Sequence, residues 1–352
     1  MVRLSRAETQ ERNRAKVLTA AEREFAEHGF RDAKIDRIAE RAELTRGAVY
    51  SNFPGKRALY FAVLAKLAEE APVPANAHRG RTARDALGAL ARAWVGHLPF
   101  GVDLMPEVLA DDRVRLPFTQ LMKLNAVLLS LALEELRPAE RAPGDPPARL
   151  VRLAGTVLTT LHGASALAAA APGFGEPFDT ISACEQLAGL DLNDFWPPPA
   201  VVPPARPADD PWAPPLAIDR VRAEEVPLTG DGVVAVLGLH RLDAAEEAVR
   251  AGAAVTVVLV TGEPAELAPL ARLMLGELCG CLRQAFPERA WPRLRVVCDE
   301  TGAIAAAAGL PAVSDGTEAA VRVEGDRIVA RADGRGACHA VAARAPSKTT
   351  AG

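Results

Sequence analysis

The chain has little of what disulfide-built, redox or metal proteins depend on. Only 5 of its 352 residues are cysteine, and they are scattered. A disulfide framework needs more cysteines at closer spacing, so we expect reduced thiols and a cytoplasmic location. The 6 histidines are far apart, and neither a His-x-x-x-His nor a Cys-x-x-Cys motif occurs. The sequence therefore predicts no metal site.

Long hydrophobic runs are also scarce. The first residues, MVRLSRAETQERNR, carry charges throughout and lack the apolar run of a signal peptide. The longest uncharged stretch, 153–175, is interrupted by threonine, glycine and histidine. This pattern favours a buried helix over a membrane span, and no membrane partner is predicted.

Charge is distributed unevenly along the chain. The formal net charge is −4, but residues 1–60 hold 13 Lys and Arg against 9 Asp and Glu. A basic N-terminal end on an acidic remainder suits a nucleic-acid-binding protein, although this asymmetry alone is weak evidence.

The length and the changes of composition predict several domains. Residues 1–72 are helical and charged, and 73–196 are rich in alanine and leucine at helical spacing. Nine prolines occur from Pro197 to Pro215, so the segment 197–216 is predicted to be an extended interdomain linker, or a strap across a partner surface. Residues 217–345 alternate β-branched runs with helical segments, which predicts an α/β domain, and the Glu-Gly-Asp turn at 324–326 predicts a hairpin. The predicted fold class is a multi-domain chain with an all-α N-terminal part and an α/β C-terminal domain.

Two short apolar-periodic segments meet near residue 43. The first has aliphatic side chains at helical spacing from Ile35 to Ala42. Thr45 is a natural N-cap for the second segment, 46–51, and Pro54-Gly55 ends it. Two short helices joined by a tight turn are the helix-turn-helix pattern.

The segment AKIDRIAERAELTRGAVYSNFPGKRALYFAVL resembles the TetR family of bacterial regulators. Ten residues stand at the family's usual positions: Phe30, Ile38, Ala39, Ala42, Leu44, Gly47, Tyr50, Phe53, Lys56 and Leu59. Two positions depart from the pattern, since Glu43 replaces the turn glycine and Lys34 replaces a capping Thr or Ser. The backbone at Glu43 must therefore be strained or differently shaped.

The resemblance implies double-stranded operator DNA as the partner, with the recognition helix entering the major groove by its N-terminal end. The predicted DNA contacts are Lys34, Thr45, Arg46, Gly47, Ala48, Tyr50, Asn52 and Lys56. Arg46 suits guanine recognition, with a phosphate contact as the alternative. Lys56 resembles the family's phosphate clamp, with a plain surface charge as the alternative. Tyr50 alternatively belongs to the core.

The resemblance also implies that 73–196 is a ligand-binding and dimerisation body, with a homodimer formed through 148–190. Five residues are candidates for a ligand pocket: Trp94, His97, Phe118, Met122 and His162. Their types equally fit an ordinary core. An effector held by such residues would be small and hydrophobic.

The C-terminal segment resembles the thioredoxin-like fold, and its run VCDETGAIAAAAGL is similar to peroxiredoxin relatives. After the strand 255–260, where that fold carries a Cys-x-x-Cys motif, the chain reads TGEPAELAP. No thiol nucleophile is available there, so neither catalytic residues nor a cofactor are predicted. Cys279 and Cys281 fall within a predicted helix and point apart. The domain is interpreted as a redox-inactive sensor or interaction module.

The predicted function is a DNA-binding transcriptional regulator, a ligand-responsive repressor that acts as a homodimer and is not an enzyme. The alternative is a redox-responsive regulator or enzyme whose C-terminal domain carries thiol chemistry. A third interpretation is that the C-terminal domain only enlarges the dimer interface.

Overall fold

The computed structural model describes residues 5–72, 74, 77–96, 104–136 and 149–343. The N-terminal part is helical in these ranges, and the C-terminal part combines a sheet with helices, as the sequence predicts. The helices of the first part are α1 (Arg6–Asp32), α2 (Ile35–Arg41), α3 (Arg46–Asn52), α4 (Lys56–Glu70), α5 (Ala83–Gly96), α6 (Leu104–Leu109), α7 (Asp112–Leu136), α8 (Val151–Ala170) and α9 (Pro177–Leu187).

The second part begins with three strands, β1 (Arg206–Pro211), β2 (Ala217–Asp219) and β3 (Glu224–Val226). It continues with β4 (Gly232–Gly238), α10 (Ala245–Arg250), β5 (Val255–Val260), α11 (Pro264–Ala285), β6 (Arg295–Cys298), α12 (Ala303–Ala307), β7 (Glu318–Glu324), β8 (Arg327–Asp333) and α13 (Ala337–Ala342).

A mixed six-stranded sheet organises this part in the order β1-β8-β7-β4-β5-β6. Strands β4, β5 and β6 run parallel, and β7 pairs antiparallel with β4. Every residue of β5 is buried, as expected for a central strand covered on both faces. Strands β7 and β8 form the predicted hairpin about the turn 324–326. Strands β2 and β3 form a separate ribbon.

The proline-rich segment differs from the prediction of a linker throughout 197–216. Residues 206–211 are the edge strand β1, paired antiparallel with β8. Proline fits an edge strand because its missing N–H need not pair. Trp212 is only 4% exposed, and its indole N–H donates to the carbonyl of Leu228 at 2.6 Å. This tryptophan anchors the segment to its own chain.

Helix α11 belongs to the second part by sequence but packs against α4, α5 and α7 of the first. A Cβ atom on Gly276 would lie 3.2 Å from the Cβ of Ala68, so the absence of a side chain permits close contact with α4. The buried amide of Asn125 on α7 donates to the carbonyl of Met274 at 3.0 Å. One hydrophobic cluster therefore contains residues of both 73–196 and 217–345, which were predicted as separate domains, and a second cluster lies wholly within 212–328.

Ion pairs reinforce the same junction. Arg250 donates to both carboxylate oxygens of Glu134 at 2.8 Å. Arg149 makes the same two-pronged contact with Glu246, also at 2.8 Å. Such planar pairs fix orientation as well as charge.

Helices α7 and α8 are long and apolar enough to cross a membrane by length and composition. The apolar window of α7 is 67% buried within the protein, but that of α8 is only 28% buried. Core helices of soluble proteins pass the same test. The interpretation of 153–175 as a buried helix is therefore incomplete, since one side of α8 is outside the core.

We predict that Trp212→Ala lowers the free energy of unfolding by about 3 kcal/mol, because it leaves a cavity and deprives the Leu228 carbonyl of its donor. Urea unfolding measures the loss. Trp196→Ala is the control, since Trp196 is half-buried and lies 5.8 Å from the His339 ring, and it should cost clearly less. Equal losses would show that Trp212 does not anchor the segment.

Candidate nucleic-acid interface

Helices α2 and α3 form the predicted two-helix turn. The hydroxyl of Thr45 accepts the backbone N–H of Ala48 at 3.2 Å, which confirms Thr45 as the N-cap of α3. Val49 and Phe53 are buried in the core that α1 shares. The opposite face of α3 is consequently directed away from the protein.

Glu43 takes the strained alternative that the sequence left open. Its φ is 57°, the left-handed region that favours glycine. Its carboxylate is exposed and lies 3.4 Å from the Nζ of Lys16. The turn thus has its usual shape without its usual residue.

A buried carboxylate from α1 lies at the beginning of α2. Lys34 is the N-cap of α2 but makes no side-chain cap. Its backbone N–H donates instead to Oε1 of Glu24 at 3.2 Å, and Glu24 is 0% exposed. The Nε of Arg41 lies 3.5 Å from the other carboxylate oxygen. A negative charge at a helix N-terminus is stabilising, so Glu24 does part of what a capping Thr or Ser would do.

Sequence reasoning missed Glu24, although a signal was present. It occupies the apolar face of α1 that Val17, Ala21 and Phe25 define. A charged residue in such a position requires a partner.

The same region holds a group of metal-type ligands. Atoms of Glu24, Glu27 and His28 lie within 4.8 Å of one another. Arg41 already donates to Glu27 at 2.9 Å, and Arg37 lies 2.7 Å from the Nε2 of His28. With two guanidinium groups present, this set stabilises α1 against α2 and does not offer a cation site.

Arg46 is held by weak contacts at the surface of α3. Its Nη1 lies 3.3 Å from Oδ1 of Asp36, and its guanidinium lies 5.6 Å from the Tyr50 ring. The Tyr50 hydroxyl and Asp36 raise the pKa of Arg46, so it remains charged. Both members of the ion pair are exposed, and such pairs contribute little to stability.

Two predicted contacts are engaged within the protein. The Nζ of Lys56 donates to the carbonyl of Arg31 at 2.9 Å and lies 4.8 Å from the Phe30 ring. The side-chain amide of Asn52 donates to the carbonyl of Ala48 at 2.8 Å.

The predicted DNA residues therefore fall into two groups. Lys34, Thr45, Arg46, Gly47 and Tyr50 are exposed, whereas Ala48, Asn52 and Lys56 are half-buried.

The candidate ligand residues come together only in part. The rings of Trp94 and His162 meet edge to face at 4.8 Å, and the Trp94 indole donates to Ser165 at 3.0 Å. Burial lowers the pKa of His162 to about 4, so its imidazole is neutral. Phe118 and Met122 lie on α7, half-buried against the same core. The fifth candidate, His97, lies outside the described residues.

The cysteines lie in environments that disfavour the thiolate. Burial raises the pKa of Cys279 and Cys281 to about 12, and α11 contains both, as predicted. Burial raises the pKa of Cys298 and Cys184 to about 11 and that of Cys338 well above its ordinary value. Since the thiolate is the nucleophile, these are poor redox centres.

Comparison with known proteins places the two-helix turn within a family. Residues 17–63 match the family described as bacterial regulatory proteins, tetR family. The chain is 38% identical over 115 residues to the probable HTH-type transcriptional regulator ArpR of Pseudomonas putida, covering 33% of this chain and 51% of that protein. It is 45% identical over 65 residues to the HTH-type transcriptional regulator SrpR of Pseudomonas putida, covering 18% of this chain and 30% of that protein.

A solved structure, a TetR-like transcriptional regulator from Rhodococcus sp. RHA1, is 20% identical and covers 53% of this chain and 96% of that one. Its TM-score is 0.27, too low to support an argument. The chain spans about half the length, or less, of the curated relatives it matches.

The short α2, the tight turn and the outward face of α3 define a helix-turn-helix motif. The match to the tetR family of bacterial regulatory proteins covers residues 17–63, and the relatives named above are HTH-type transcriptional regulators.

We predict that iodoacetamide labels the folded chain at about pH 8 at least a hundredfold more slowly than the unfolded chain, because the raised pKa values reduce the thiolate fraction. The rate in the folded chain should keep rising up to about pH 10, still below those pKa values, whereas the unfolded chain levels off near the ordinary thiol pKa. Rapid labelling of any one cysteine at neutral pH would contradict this.

Proposed function

We propose that the chain is a sequence-specific transcriptional regulator that binds operator DNA as a homodimer in the cytoplasm and acts as a repressor. The observation that carries the proposal is the exposed face of α3, where Arg46, Gly47 and Tyr50 lie outward beside the N-cap Thr45. Small residues at this end allow a helix to approach base edges closely, and Arg46 supplies a bidentate donor. Lys34 supplies a second exposed charge at the beginning of α2.

The proposed dimer uses α8 and α9, within the range 148–190. Leu153, Leu158 and Leu161 are buried in this chain's own core and are therefore unavailable to a partner. The exposed apolar side chains lie further along: Leu167, Phe174 and Phe178 are 51%, 76% and 71% exposed. The alanines at 168–170 extend this surface, which has no charged residue between Leu167 and Gly175. Large exposed apolar side chains of this kind favour a protein interface.

The α/β domain is proposed to be thioredoxin-like without thiol chemistry. The strand order β6-β5-β4-β7-β8 supports a thioredoxin-like fold. Three of these strands are parallel, and the last two form an antiparallel hairpin followed by α13. The short connections directly after β4 and β5, residues 239–244 and 261–263, contain no cysteine, and the raised thiol pKa values also argue against thiol chemistry. On this basis no enzymatic activity is assigned to the chain.

The ligand response is also part of the proposal. Trp94 and His162 offer a partly aromatic, neutral surface between α5 and α8, which suits a small hydrophobic effector. Release from the operator would follow when the effector changes the separation of the two recognition helices.

We predict that Arg46→Ala and Lys56→Ala weaken DNA binding in different ways. With DNA from upstream of the chain's own coding sequence, Arg46→Ala should lose about 1–3 kcal/mol of discrimination between operator and altered operators. Lys56→Ala should weaken binding to all DNA sequences alike. It should also lower the slope of log K against log salt concentration by about one.

Arg84→Ala is the matched control, because Arg84 is an exposed arginine on α5, outside the two-helix turn. Fluorescence anisotropy across a salt series measures all three variants. Salt-independent binding by the unaltered chain, or none, would refute the proposed function.

We predict that Leu167→Asp combined with Phe178→Asp separates the dimer, because two charges in an apolar interface lack partners. Sedimentation should then show monomer, and operator affinity should fall at least about tenfold, since a half-site alone is bound weakly. Leu216→Asp is the control, because Leu216 is an exposed leucine beside β2. A doubly substituted chain that remains dimeric would locate the interface elsewhere.

A further inference from the structure

Helix α4 connects the DNA-binding head, defined here as α1 to α4, to the rest of the protein. All residues from Ala58 to Ala65 are buried, which is the pattern of a helix covered on several sides. On one side Tyr60 packs against Phe25 and Phe30, with ring centroids 5.1 and 4.8 Å apart. On another side α4 packs along α11. The head is thus fixed by a helix that has the α/β domain as an immediate neighbour.

Helices α4 and α11 are closely packed at Gly276. An added Cβ would lie 3.2 Å from the Cβ and 3.7 Å from the backbone carbon of Ala68. A side chain there would displace one helix relative to the other. One turn further along α11, an added Cβ on Gly280 would meet nothing within 4 Å.

Charged groups extend the contact to the N-terminal end of α4. The Nε of Arg57 donates to Glu266 on α11 at 2.7 Å, and its Nη2 donates to Asp111 at 2.8 Å. All three side chains are mostly buried. Arg57 directly follows Lys56, the predicted phosphate contact. The N-terminal turn of α11 therefore contacts the residue that directly follows a predicted DNA contact.

A second set of ion pairs joins the other end of α4 to the α/β domain. Glu69 accepts from Arg220 at 2.7 Å and lies 3.4 Å from Arg272 of α11. Arg272 also donates to Glu300, which follows β6, at 3.1 Å. Both ends of α4 are held by side chains from 217–300.

We propose that the α/β domain is the built-in regulator of the DNA-binding head, and that α11 transmits its state by setting the position of α4. The proposal rests on the proposed function, because it names what controls the same DNA-binding site. A rearrangement of the sheet that shifts α11 moves α4, and the recognition helix moves with it. A ligand that binds one arrangement of the α/β domain more tightly than the other would then change the affinity of the head for DNA.

Overpacking at Gly276 tests this coupling. Gly276→Leu should raise the operator Kd of the full chain about tenfold and speed amide hydrogen exchange in α2 and α3. Gly280→Leu, the same substitution in open space on the same helix, should change both less than about twofold. Glycine replacement favours the helix by similar amounts at both positions, so helix propensity cancels.

Glu266→Gln provides a second variant should Gly276→Leu fold poorly, because it removes one charge partner of Arg57 at nearly constant size. It should raise the operator Kd about fivefold and leave the circular dichroism spectrum unchanged. Equal effects of Gly276→Leu and Gly280→Leu on both readouts, together with an unchanged Kd for Glu266→Gln, would overturn the proposal. Should the unaltered chain bind no DNA while Gly276→Leu still loosens α2 and α3, the coupling stands and the proposed function fails.

Discussion

Helix α4 is covered by both α1 and α11, and this double burial determines how the DNA-binding head is joined to the rest of the protein. Its residues from Ala58 to Ala65 can leave water only when both α1 and α11 are in place. A helix-turn-helix module by itself would cover one of these faces and expose the other. The α/β domain therefore completes the core of the head, and the orientation of the recognition helix depends on residues some 200 positions away in sequence.

Ion pairs between the helical part and the α/β domain contribute more to their relative orientation than to the stability of the protein. Arg250 with Glu134, and Arg149 with Glu246, are mostly buried pairs with two hydrogen bonds each. Burying such charges costs about as much as their attraction returns. Their planar geometry is nevertheless satisfied in one orientation only, so a docking error would leave buried charges without partners. Apolar contact along α11 stabilises the packing of the two parts, and the arginine ion pairs fix their relative orientation.

Features that depend on neighbouring residues can be predicted from the sequence, whereas features that depend on partners far away in the sequence cannot. The cap at Thr45 and the hairpin about 324–326 follow from neighbouring residues, and the structure shows both. At Glu43 the sequence left two backbone shapes open, and the structure shows the positive φ. Strand β1 was missed because prolines argue against a central strand, whereas the partner that makes 206–211 an edge strand lies about 120 residues later. The location of α11 was missed for the same reason. Glu24 and the apolar character of α4 on all sides were visible signals, but neither identifies its partner.

The helical body offers separate surfaces for the proposed dimer contact and for the contact with α11. Helices α5 and α7 contact α11 on one side and α8 on the other. The apolar surface at Leu167 and Phe178 is therefore not the surface that α11 occupies. In the proposed regulator, a partner could bind at α8 and α9 without competing with the α/β domain for α4. Dimerisation would set the distance between two heads, and α11 would set the orientation of each head on its own body.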